Sequence, residues 1–160
     1  MAMQFILNLF IATLWLLLQD EVTPQFSTFL MGFVVGMGIL YAMHRFYGTQ
    51  FYMRRVFSII KLLWLFNWEL FLSSYSVLRQ ITTPKLNITP GIFTYKTVLE
   101  GDWEITALAL LLTLTPGSVV MEVSEEGDVF YIHAMDIEQS KDAVIRSIGK
   151  FEQAIMEVTR

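Results

Sequence analysis

Two stretches of the chain, Met1 to Leu18 ("MAMQFILNLFIATLWLLL") and Phe26 to Met43 ("FSTFLMGFVVGMGILYAM"), contain no ionised side chain and are separated by only seven residues. A helix of that length measures ~27 Å at 1.5 Å per residue, close to the about 30 Å of a bilayer core. The intervening "QDEVTPQ" has room for little more than a turn, so the two stretches are expected to form a helical hairpin across a membrane. The first lacks the basic start and the small-residue cleavage site of a secretory signal, and it is read as a retained helix. In the second, Gly32 and Gly36 lie on one helical face in a small-xxx-small spacing that lets a neighbouring helix approach closely. Acids Asp20 and Glu21 occupy the turn, whereas Arg45, Arg54 and Arg55 follow the second stretch. Positive charge prefers the cytoplasmic side, so both ends of the hairpin are expected there.

Charge is unevenly distributed beyond the hairpin. Residues 1–80 hold three acids and five bases, and residues 81–160 hold twelve acids and six bases. An apolar, faintly basic first half therefore precedes an acidic, water-compatible second half, the pattern of an anchor followed by a small domain. Only 16% of all residues are charged, and the mean hydropathy is +0.52. An acidic domain is a poor partner for nucleic acid, which demands clustered Lys and Arg. The chain has no cysteine, which excludes disulfides, thiol catalysis and cysteine-ligated zinc.

Val56 to Leu78 is long enough to span a bilayer but contains Lys61, Asn67 and Glu69. On a helix, Ser58, Glu69, Ser73, Ser76 and Gln80 fall within an arc of roughly 60°, with Lys61 just outside it. A charge at the bilayer centre costs at least ~2.5 kcal/mol. This helix is therefore expected to lie amphipathically at the cytoplasmic face, in the interface or against other membrane subunits, rather than to cross. The competing reading makes Lys61 and Glu69 part of an ion or proton path, or the helix a third crossing. The two residues stand ~12 Å apart along a helix and cannot pair with each other. Trp64 and Trp68, one turn apart, suit an interfacial belt.

The uncharged run Ile105 to Met121 is interrupted by "TPG", and the eleven residues Ile105 to Thr115 are too short to span. "SVVMEVS" then reads as a strand, "EEGD" as a turn, "VFYIHAM" as a hairpin partner, and "DIEQ" as the start of a helix capped by Asp136. Apolar residues Val144, Ile148, Phe151, Ile155 and Val158 give that helix one buried face. With "GIFTYKTVL" upstream as another strand, the order is β-α-β-β-α, and the uncharged run is core rather than membrane.

The block "LTLTPGSVVMEVSEEGDVFYIHAMDI", behind a hydrophobic hairpin and before a charged helix, resembles the E subunit of the Mrp-type multisubunit cation/proton antiporters, the Mnh type in some bacteria. The similarity extends over the whole chain in length and order. Ser118 stands where family members often have Thr and keeps the hydroxyl. The resemblance implies a small accessory chain of a bacterial or archaeal cell-membrane complex that exchanges sodium, or potassium, for protons, with the ion paths in larger subunits. It implies the other subunits as partners; membrane lipids are expected as further partners, and no cofactor or metal is expected. The expected fold is thus a membrane α-helical hairpin (1–45), a basic linker with an amphipathic or third membrane helix (46–82), and a small α+β cytoplasmic domain (83–160).

Several residues carry alternative readings. Thr115, Pro116 and Gly117 could form a binding loop, or simply stop a helix and turn the chain into a strand. His133 could sense pH or be a structural strand residue. His44 is expected as an interfacial anchor. Glu125, Glu126 and Asp128 read as a solvated turn rather than a cation site. No nucleophile–base arrangement, P-loop or dinucleotide fingerprint is present, so no enzyme activity is expected. A different functional class, a freestanding membrane-anchored binding or sensor module, would need a ligand cleft within residues 91–160.

Overall fold

The computed structural model describes residues 2–19, 25–47, 51–84 and 88–160, with the side chains of Ala2 and of residues 44–47 excepted. The turn expected at 20–24, the linker around 48–50, the side chains of His44 and Arg45, and Lys85 lie outside the described residues. The chain divides into two compact units, Met1–Phe57 and Ser58–Arg160.

In the first unit, α1 (Ala2–Leu18) and α2 (Phe26–Tyr47) pack as an antiparallel hairpin, with the start of α3 (Tyr52–Ile81) bonded to α1. The α2 segment Phe26–Met43 and the whole of α3 are long and apolar enough to cross a membrane by length and composition, while Met3–Leu18 is a shorter apolar helix. Glycine allows the hairpin to close. A Cβ added at Gly32 would stand 2.6 Å from Cβ of Trp15, and one at Gly36 would collide with Oδ1 of Asn8 and meet Ile11. A Cβ at Gly38 would meet nothing within 4 Å among the described residues. Asn8 is fully buried, and its amide nitrogen donates to the Tyr52 hydroxyl at 2.7 Å. The Tyr52 backbone N–H in turn donates to Oε1 of Gln4 at 3.0 Å. An interhelical side-chain bond in an apolar setting is worth about 0.6–2 kcal/mol, so these two bonds hold the first turn of α3 against α1.

In the second unit, α3 from Ser58 onward packs with a small α+β fold. Strands β1 (Gly91–Lys96), β2 (Ser118–Val123) and β3 (Val129–Ala134) form one antiparallel sheet in the order β1-β3-β2. Helix α4 (Asp102–Leu114) crosses from one edge strand to the other, a split β-α-β arrangement, and α5 (Ile137–Thr159) closes the chain. The sheet side chains alternate as the pleat requires: Phe130, Ile132 and Ala134 face the core. There they meet Phe93, Leu108 and Leu112, and Ile148, Phe151 and Ile155 of α5. The acidic turn between β2 and β3 is closed by Gly127, at φ +76°, whose N–H donates to Ser124 O at 2.8 Å. Leu108 and Leu112 place the uncharged run in this core, although Leu110 and Leu114 of the same helix are exposed.

Some element ends differ from expectation for physical reasons. β1 stops at Lys96 rather than Leu99 because Thr97 turns inward. Its hydroxyl donates to Glu152 at 2.5 Å, and the Val98 N–H donates to the same oxygen at 3.1 Å. α4 begins three residues earlier than its uncharged stretch, since Asp102 and Glu104 suit the positive end of a helix.

The hairpin geometry gives a paired prediction. Gly36→Leu should destabilise the detergent-solubilised chain by about 1–3 kcal/mol through overpacking, measured as a lowered unfolding midpoint. Gly38→Leu should leave that midpoint unchanged.

Candidate functional site

α3 presents two chemically opposite faces within the second unit. Trp64, Trp68, Phe71 and Tyr75 form one side, with Trp64 74% and Phe71 72% exposed. Leu62, Leu65 and Phe66 on the other side pack against the core. The charged residues Lys61 and Glu69 lie on or beside that second side, and each finds its counterpart on α5. Glu69 is buried; its two oxygens accept from Lys150 Nζ and from the Ser147 hydroxyl, both at 2.7 Å. Lys61 Nζ meets Glu157 at 2.7 Å. Going up α3 corresponds to going down α5, so the two helices run antiparallel. Lys61 and Glu69, which cannot reach each other, are thus both held by the same partner helix.

Beside the Glu69 pair lies a cleft of about 290 Å³ lined by both helices. Ser73, Ser76, Val77 and Gln80 line it from α3, and Ser140, Ala143, Val144, Arg146 and Ser147 from α5. Its third wall is the turn between α4 and β2: Thr115, Pro116, Gly117 and Ser118. The structure therefore brings Glu69 and the Thr-Pro-Gly turn to one place, although they are far apart in the sequence. Local bonding explains the turn itself. The Thr115 hydroxyl donates to Leu112 O at 2.8 Å, ending α4, and Gly117 adopts φ +94°, which a side chain would strain. Its carbonyl accepts from Met135 N–H at 3.0 Å, and a Cβ there would touch Val77 of α3 at 3.6 Å.

Other sequence candidates lie elsewhere. His133 sits on the sheet face opposite the core, in register with Ile92 on one side and Val119 on the other. Gly32 and Gly36 belong to the hairpin of the first unit. Asp128 at the hairpin tip is bonded to Ser124 at 2.9 Å and paired with Lys96 at 3.3 Å, and these two hold its carboxyl below the usual aspartate range. Among the described residues no group of three His, Cys, Asp or Glu side chains converges as a metal site.

The buried acids serve to join elements. Glu152 accepts from Tyr95, Thr97 and the Val98 N–H. Burial first, and the Glu152 carboxylate second, push the Tyr95 phenol up to about 12. Glu104 accepts from the Thr159 hydroxyl, which with Arg160 holds its carboxyl below the usual range against the opposing effect of burial. Sequence reasoning missed Asp136 as part of a site, having seen it only as a helix cap, and missed Arg146, Ser147 and Lys150 altogether. The signal was available in α5, where Ser140, Ser147 and Lys150 recur at helical spacing beside the apolar face.

Residues 8–158 match the family described as MNHE, Na+/H+ ion antiporter subunit. The chain is 47% identical over 160 residues to the E subunit of the Na(+)/H(+) antiporter of Bacillus subtilis (strain 168), covering 100% of both chains. It is 40% identical over 158 residues to the protein designated antiporter subunit mnhE2 in Staphylococcus haemolyticus (strain JCSC1435), covering 98% of this chain and 99% of that one. A solved chain of the membrane-bound sulfane sulfur reductase, an archaeal respiratory membrane complex, superposes with a TM-score of 0.54 at 23% identity, over 97% of this chain and 99% of that one. That last likeness is one of fold.

The two ion pairs differ in exposure, and so should their worth. The Lys61–Glu157 pair is 61% and 36% exposed at its side chains, whereas Glu69 is 9% exposed beside a half-exposed Lys150. Glu69→Ala should lower stability by about 1–2 kcal/mol, because Ser147 loses its acceptor as well. Lys61→Ala should stay within about 0.5 kcal/mol. Thermal unfolding of the purified chain distinguishes the two.

Proposed function

The chain belongs to the MNHE family of Na+/H+ ion antiporter subunits, and from that premise we propose that it is an accessory subunit. On this reading it supports assembly and activity of a multisubunit antiporter exchanging sodium, or potassium, for protons, while the ion path lies in other subunits. The observation that carries the reading is the fate of Lys61 and Glu69. Both are engaged by α5, and the side chains described in α1 and α2 include no Asp, Glu, Lys, Arg or His to pass a proton on. A relay across a membrane needs a chain of such groups. The lack of a nucleophile–base arrangement in the sequence favours a role other than that of an enzyme.

The placement follows from the two faces of α3. Its charged residues Lys61 and Glu69 are tied to α5, which also carries Glu138, Lys141, Asp142 and Arg146 at exposed positions. Threading α3 through a bilayer would take those charges with it, at about 2.5–3.5 kcal/mol each. An interfacial position avoids this: the aromatic face meets lipid or a neighbouring subunit, and the α+β fold stays in water. Together with the basic residues after α2, this favours a multi-pass chain with its N-terminus and C-terminal domain in the cytoplasm. The freestanding sensor reading gains from the cleft beside α5, but family membership weighs against it.

Gentle detergent extraction of the tagged chain from its native membrane should recover several polytopic antiporter subunits with it; recovery of the 18.5 kDa chain by itself would favour the freestanding module. The chain has no native cysteine, so Asp128→Cys gives a single topology probe. An impermeant maleimide should label it in inverted vesicles and leave it unlabelled in intact cells.

A further inference from the structure

The cleft between α3, the Thr-Pro-Gly turn and α5 holds two acids and two bases, and they are unequally matched. Glu69 is satisfied by Lys150 and Ser147. Asp136 caps α5 through Oδ1, which accepts from the Gln139 N–H and the Thr89 hydroxyl, while its Oδ2 is buried with no hydrogen-bond partner among the described residues. A buried carboxylate oxygen without a donor is rare and points to a missing one. At the mouth, Arg146 is exposed and makes no ion pair among the described residues. The cleft therefore offers an unmatched guanidinium at one end and an orphan acceptor at the other, with serine hydroxyls between them. Asp136 and Arg146 lie ~15 Å apart along α5, and the arginine side chain covers part of that distance. Leu72 lines the cleft and is also exposed, so the apolar face of α3 runs without a break into the mouth.

We propose that this cleft binds the headgroup of an anionic, hydroxylated glycerophospholipid of the phosphatidylglycerol kind. Its phosphate pairs with Arg146, whose planar fork matches two phosphate oxygens. A headgroup hydroxyl supplies the donor that Asp136 lacks, and the acyl chains leave over Leu72 onto the apolar face of α3. The site rests on the interfacial placement of α3 in the proposed function, since only there does the mouth meet lipid. It would couple the docking of the α+β fold to the composition of the membrane beneath it.

The test uses the chain in its native complex, reconstituted in bilayers containing a photoactivatable phosphatidylglycerol, with a phosphatidylcholine analogue in parallel. Cross-links mapped by mass spectrometry should fall within residues 72–80 and 140–150 for the anionic lipid. Arg146→Glu should reduce them about tenfold, from the loss of one attractive charge and the gain of a repulsive one. Ala143→Trp, which fills the mouth without altering charge, should reduce them similarly. Equal labelling in Arg146→Glu, or equal labelling by the phosphatidylcholine analogue, would overturn the proposal. Competition by millimolar glycerol 3-phosphate as effective as that by intact lipid would overturn the lipid as the source of the phosphate. A nitroxide attached through Phe71→Cys separates the two levels. If it reports a lipid environment while cross-linking is insensitive to Arg146, the cleft proposal fails and the interfacial placement stands. If it reports water, the placement itself fails.

Discussion

The pairing of α3 with α5 is the constraint on which the place of α3 in the second unit depends. A helix with the sequence of α3 has two poor options by itself. Inserted in a bilayer, it buries Lys61 and Glu69; dissolved in water, it exposes Trp64, Trp68, Phe71 and Tyr75. α5 removes the first difficulty by bringing Lys150 and Ser147 to Glu69 and Glu157 to Lys61. What remains uncovered is a continuous apolar face, and an amphipathic interface is the environment that suits it. The same pairing sets α3 beside α5, and with it two walls of the cleft that the Thr-Pro-Gly turn closes.

The hairpin solves a different problem with different means. Lipid provides no hydrophobic drive for one apolar helix to seek another, so contact relies on close packing and on polar groups. Gly32 and Gly36 supply the space into which Trp15, Asn8 and Ile11 fit. Asn8 supplies the polar tie, reaching Tyr52 at the start of α3. A buried amide with so few polar neighbours has little choice of partner, and that makes the tie specific.

Much of the architecture was legible in the sequence because periodicity is local. The order of strands and helices after residue 90, the Asp136 cap and the glycine-closed acidic turn all follow from residue types at fixed short spacings. The site was less legible because it is assembled from distant pieces. Lys61 and Glu69, read within their own helix, mark it as amphipathic and leave a transport role as the competing reading; their partners lie 96 and 81 positions away on α5. Asp136 looks like an ordinary cap until the turn at Thr115 and the serines of α3 are seen around it. Asn8 was passed over for a like reason. Its one amide companion, Gln4, stands a helical turn away, and the two gain meaning only from Tyr52, far along the chain, which is bonded to both.

Glu69, on this account, works through its pairing with Lys150 and not as a carrier of ions or protons. A charge exchange tests this most directly: sodium-driven proton movement, normalised to the amount of assembled complex, in Glu69→Lys, Lys150→Glu and the double variant. Pairing predicts that each single change lowers assembly, that the double change recovers most of it, and that whatever assembles exchanges ions at the wild-type rate. A double variant that assembles fully but exchanges no ions would contradict the pairing role and put the Glu69 carboxylate in the transport path.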